Sequence, residues 1–110
     1  MAAKIKCFIK RPDEEYGHVT YISVSLENLQ RNVGGYVESV TLIPQVGRKP
    51  GMVVLCDEDG RLKNKPFNCT YFGISFVGDI LILGYKDGEF CSVPIEWDAH
   101  KQLVDDGRNK

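Results

Sequence analysis

Long apolar runs are missing from this chain of 110 residues. Runs such as Met52 to Cys56 and Ile80 to Leu83 are far too short to cross a bilayer as a helix, so no membrane partner is expected. Histidine is scarce: His18 and His100 are the only two. The four cysteines, Cys7, Cys56, Cys69 and Cys91, are never in C-x-x-C spacing. Zinc needs closely paired thiolate and imidazole ligands, so no metal site is expected. Each cysteine instead sits in an apolar or aromatic stretch, the setting of a buried free thiol in a reducing compartment. The N-terminus, Met1-Ala2-Ala3-Lys4-Ile5-Lys6, lacks the apolar core of a signal peptide. A cytoplasmic protein is expected, and the sequon Asn68-Cys69-Thr70 then carries no meaning.

An excess of positive charge is also absent. The 14 basic and 15 acidic residues are interspersed and leave a net charge of −1. Domains that grip duplex nucleic acid through its phosphates are usually basic, so that role is disfavoured. A local basic patch remains open, because Arg48, Lys49, Arg61, Lys63 and Lys65 fall on two loop-like stretches. No serine lies in a G-x-S-x-G elbow, and no nucleophile stands beside a base. Both histidines lie in polar surroundings. The chain is not expected to be an enzyme, and no cofactor is called for.

What is present is an ordinary globular composition, 43% hydrophobic and 26% charged, in one domain spanning 1–110. Its core is expected over about 4–104, with a polar tail that frays from Asp105. Lys4 to Lys10 alternates as a half-buried strand, Ile5, Cys7 and Ile9 inward and the lysines outward. A polar loop leads to a strand over Val19 to Val24. Ser25 is a good helix N-cap, and Leu26, Leu29 and Val33 share one helical face. Tyr36 to Ile43 is a strand, and Pro44 to Gly51 a loop. Met52 to Cys56 and Ile80 to Tyr85 read as strands buried on both faces. Lys63 to Thr70 reads as irregular, and Tyr71 to Val77 as a short strand or an aromatic loop. Asp87-Gly88 opens a last hairpin. Pro94 suits the first turn of a C-terminal helix with Ile95, Ala99 and Leu103 on its inner face. The order predicts an α+β fold: a mainly antiparallel sheet with one packed helix, a β-grasp-like roll, and a C-terminal helix.

Gly34-Gly35 raises the question of a phosphate cradle. Such cradles place glycines before a helix, whose positive N-terminus faces the anion. Here the glycines follow the helix, whose carbonyl end repels phosphate. Gly34 and Gly35 are therefore read as a structural turn, with Gly34 the left-handed residue that ends the helix. Interest passes to Tyr36 and Glu38 beyond them, an aromatic and an acid that share a face if the strand is regular. Asp57-Glu58-Asp59-Gly60 reads as a solvated hairpin tip, since it lacks the spaced ligands of a calcium loop. Phe67 and Asn68 lie in the irregular stretch, where the amide either braces a turn or reads a ligand edge.

Ser25-Leu26-Glu27-Asn28-Leu29-Gln30, running into Val33-Gly34-Gly35-Tyr36-Val37-Glu38, resembles the core of the family named domain of unknown function 3846. Asp59-Gly60 with Leu62, then Lys65-Pro66-Phe67-Asn68, then Val77-Gly78-Asp79 and an apolar strand ending at Gly84, agree in order. The resemblance covers about Ile5 to Gly84, and Glu89 to Trp97 is less typical. It brings no catalytic residues. It implies a small accessory protein of a phage or other mobile element, acting by binding in a bacterial host. The expectation is counter-defence, by sequestering a nucleotide-derived immune signal or by occluding a defence protein. For the nucleotide ligand, the expected contacts are Tyr36, Glu38, Phe67 and Asn68, with Arg31, Arg48 or Lys49 for phosphate. A pocket between subunits, hence a homo-oligomer, goes with so small a domain. The alternatives are an adaptor that receives a protein strand at a sheet edge and, least supported, a nucleotide hydrolase.

Overall fold

Two apolar strands organise the chain, β4 (Gly51–Asp57) and β7 (Ile80–Lys86). Every residue of β4 and the first five of β7 are buried. In the computed structural model, which describes residues 4–109, they pair antiparallel at the centre of one sheet. The other elements are β1 (Lys4–Lys10), β2 (His18–Ser23), α1 (Leu26–Val33), β3 (Val37–Ile43), β5 (Phe67–Tyr71), β6 (Ile74–Val77), β8 (Glu89–Cys91) and α2 (Trp97–Arg108). The sheet order is β2-β1-β7-β4-β3, with β8 also on β7, and β5-β6 forms a separate hairpin. All strand pairs are antiparallel. The α+β class, the mainly antiparallel sheet and the C-terminal helix are as the sequence indicates. Nothing in this strand order singles out the β-grasp roll.

Strand alternation splits the core into two layers. On one face Cys7, Ile9, Val53, Leu55, Leu81 and Leu83 meet Leu29 and Val33 of α1. On the other, Phe8, Met52, Val54, Cys56, Ile80 and Ile82 meet Cys69, Tyr71 and Phe76 of the hairpin and Val104 of α2. Covering on both sides explains why β4 and β7 are continuous apolar runs.

Helix α1 begins and ends where its residues direct. The Ser25 hydroxyl accepts from the Asn28 N–H at 3.1 Å. Gly34 ends the helix at φ 77°, its N–H donating to the Gln30 carbonyl. Leu26, expected on the inner face, is exposed instead. Eight residues make barely two turns, and only Leu29 and Val33 reach the sheet.

Four expectations need correction. The end of β1 is not half-buried: Lys10 is 2% exposed. Its ammonium lies inside, donating to Asn68 Oδ1 at 2.8 Å, with the Asn68 and Arg11 carbonyls at 3.4 Å. The stretch Lys63 to Thr70 is not irregular throughout, since β5 starts at Phe67. It pairs with β6 through the turn Phe72-Gly73, where both residues have positive φ. Helix α2 starts three residues after Pro94, and Ala99 is exposed while His100 and Val104 face the core. Finally, the tail from Asp105 is helical through Arg108. Asp105 accepts from the Tyr16 hydroxyl, Arg108 donates to the Glu15 carbonyl, and Gly107 lies directly against the Thr70 carbonyl. A Cβ there would collide with β5, so only glycine lets the helix dock this closely.

Candidate functional site

The helix-to-strand turn is built on Asp57, the last residue of β4. Its side chain is 1% exposed. It accepts from Lys63 Nζ at 2.8 Å, Lys65 Nζ at 2.7 Å and the Asp59 N–H at 2.9 Å. Burial works to raise its pKa, but the Lys63 and Lys65 hydrogen bonds outweigh burial and hold the carboxyl well below the usual range. Lys65 also donates to the carbonyls of Val33 and Gly34, and Lys63 reaches the Gly34 carbonyl. The negative end of α1 is thus closed by two ammoniums. Gly35 packs on the same carboxylate: a Cβ there would sit 2.5 Å from Asp57 Oδ1. The two glycines therefore do different work. Gly34 supplies the left-handed turn, and Gly35 lets the buried aspartate approach. Asp57 itself was expected in a solvated tip; its burial against lysines six and eight residues later corrects that reading.

Two openings flank this hub. A cleft of about 300 Å³ is lined by Gln30, Gly35, Tyr36, Asp59 and Lys63. Tyr36 is 67% exposed over it. Lys63 keeps 45% of its side chain in solvent despite the Asp57 pair. A groove of about 270 Å³ lies on the other side of β3, where Glu38, Val40, Cys56, Arg61, Leu62, Ile74 and Phe76 are among its walls. There the Cys56 thiol points at Glu38 Oε1, 3.8 Å away. Burial and the nearby Glu38 carboxylate push that thiol up to about 11, so it is not a nucleophile at neutral pH.

A model of the family described as Domain of unknown function (DUF3846) matches residues 5–104. The chain belongs to this family. No curated protein and no solved structure matches the chain. The DUF3846 match runs past Gly84, through β8 and the Glu89 to Trp97 segment, and into α2. Helix α1, the Asp57 hub and α2 as far as Val104 therefore lie within the DUF3846 match.

Within this DUF3846 domain the expected contact residues scatter. Tyr36 precedes β3 rather than belonging to it, so it and Glu38 open onto different clefts. Arg31 pairs with Glu27 at 2.9 Å on the exposed side of α1. Arg48 and Lys49 lie in the β3–β4 loop, the length of β3 away from Tyr36, or roughly 20 Å. Phe67 is exposed at the start of β5. Asn68 is interior, and its amide is committed: it donates to the carbonyls of Lys10 and Gly78 and accepts from Lys10. Of the two readings left open for it, bracing describes what it does here. Sequence reasoning missed Gln30 as a cleft residue and Lys63 as the cation beside Tyr36. The available signal was Asp57 followed by lysines at alternate positions 63 and 65.

Proposed function

We propose that the protein is a small non-enzymatic binding protein. Its ligand is nucleotide-like and anionic and sits against Tyr36, and in a bacterial host it acts in counter-defence by sequestering a nucleotide-derived immune signal. The supporting observation is the shared cleft of Tyr36, Lys63 and Gln30. The tyrosine ring offers a stacking face, the half-exposed Lys63 side chain, whose ammonium also holds Asp57, a phosphate contact, and the amide a polar edge. Lys63 takes the cation role first given to Arg31, Arg48 and Lys49. The test is to purify the protein from cells making such a signal, heat it, and identify what is released. Intact nucleotide supports sequestration, altered product indicates a hydrolase, and empty protein counts against both. Base–aromatic stacking contributes about 1–3 kcal/mol, so Tyr36→Ala is expected to weaken binding by about tenfold. Full affinity in a folded Tyr36→Ala protein would refute the site.

A second reading is a structural or regulatory adaptor that pairs with a protein through a sheet edge. It is favoured by the two outer strands, β2 and β3, each with one side unpaired in the sheet. Under this reading a partner protein co-purifies and the nucleotide does not.

A further inference from the structure

The free side of β3 has a defined pattern. The Tyr36 carbonyl accepts from the Glu58 N–H at 2.8 Å, so residue 36 directs its backbone polar groups at the β4 side. Antiparallel pairs alternate, and the register Val37↔Asp57 to Thr41↔Val53 is regular. Glu38 and Val40 therefore also point at β4, while Val37, Ser39 and Thr41 point their N–H and C=O groups outward. The bulge near Ile43 falls beyond this stretch. β3 contains neither lysine nor proline, the residues that commonly guard an edge.

Side chains of opposite sign stand near the two ends of this edge, with Arg61 sharing the groove of Glu38 and Glu58 and Lys63 engaged by Asp57. Glu38 and Glu58 stand at the Tyr36 end, Arg48 and Lys49 in the loop at the other. None of the four has an ion-pair partner among the described residues. An antiparallel neighbour of the same sequence would set each acidic end beside a basic one. A two-fold axis at Ser39 pairs Val37 with Thr41 of the partner and Ser39 with the partner's Ser39. Every outward-pointing group from 37 to 41 then finds a donor or acceptor.

We propose that a second copy of this chain occupies the free edge of β3, pairing the two β3 strands about a two-fold axis at Ser39 and carrying the partner's Arg48 and Lys49 to the Tyr36 end. The match of charge and of backbone register commits the edge to a like chain. The inference goes beyond the ligand reading and is tested by mass alone. It also supplies, across the dimer, the two cations that are remote from Tyr36 within one chain.

Sedimentation equilibrium on the full chain tests it. The expected mass is twice the 12.4 kDa of one chain. Ser39→Pro removes a donor that points away from β4, so the fold is expected to survive while the dimer dissociates. Should Ser39→Pro fail to fold, Ser39→Lys serves. Ser39 is exposed, and lysine there puts two like charges face to face. It should weaken the dimer about fivefold, with partial recovery in high salt. Arg48→Glu with Lys49→Glu should also dissociate it, and adding Glu58→Lys should restore it. A monomeric wild type, or a dimer indifferent to the folded Ser39 variants, overturns the proposal. A dimer that survives the charge reversal overturns the register.

Discussion

At the residue scale, the pair Gly34-Gly35 shows how one dipeptide answers two demands. Gly34 needs positive φ, which costs other residues about 1–2 kcal/mol. Gly35 needs empty space, because Asp57 fills the place of a side chain. Gly35→Ala should therefore destabilise by roughly 1–3 kcal/mol, as overpacking does, read as a shift in urea midpoint. Asp57→Asn tests the other partner. Its folded pKa lies below the ordinary 3.8, so its contribution is complete above that value and drains away as pH falls through and below it. Asp57→Asn should lower stability at pH 7 by about 1–3 kcal/mol. That is less than for a fully buried pair, because Lys63 is half exposed. It should also flatten the acid limb of the stability curve. An unchanged acid limb would mean that other carboxylates carry it.

At the element scale, the informative contrast is between α1 and α2. The bounds of α1 were legible because its signals are local: a Ser25 cap, two inward apolar residues, a glycine stop. Those of α2 were not, because its inward residues include a histidine. His100 Nε2 faces the Tyr16 carbonyl at 2.8 Å, which can only accept, so Nε2 carries the proton. Nδ1 then accepts from the Tyr71 hydroxyl at 3.0 Å. Phe8, Tyr71 and Trp97 surround the ring. Burial lowers its pKa below the ordinary 6.5. The unfolded chain therefore takes up a proton that the folded chain refuses. Stability should be full above about 6.5 and decline as pH falls below it, and His100→Gln should remove that slope. A slope that persists in the variant would assign it elsewhere. Asn68 hid for the same reason as His100, since its partner Lys10 is 58 positions away. Asn68→Ala should cost on the order of 3 kcal/mol, because a buried ammonium loses its main acceptor. Nucleotide affinity of the folded fraction should not change.

At the scale of the whole molecule, what the sequence made legible was the pair of strands buried on both faces, while the β5-β6 hairpin that helps cover the second face was not. The composition of the candidate site was legible only in part. Tyr36 was marked by its neighbours, but whether a cation stood near it depended on which end of β3 each loop occupies. Spacing along the chain does not carry that. The double burial also has a thermodynamic consequence. The α1-side core and the α2-side core share β4 and β7, so neither can be lost while the sheet persists with the other intact. Unfolding should be a single cooperative transition. Each face carries its own probe. Trp97, the only tryptophan, meets Phe8 edge-to-face and lies tilted against His100 on the α2 side. Cys7, fully buried on the α1 side, has a thiol that burial pushes up to about 11, so it stays unreactive until exposed. In a chain with the other three cysteines replaced by alanine or serine, urea titrations of Trp97 fluorescence and of Cys7 labelling should share one midpoint. Earlier labelling of Cys7 would mean that α1 opens as a unit of its own, leaving β4 and β7 held by the hairpin and α2 alone.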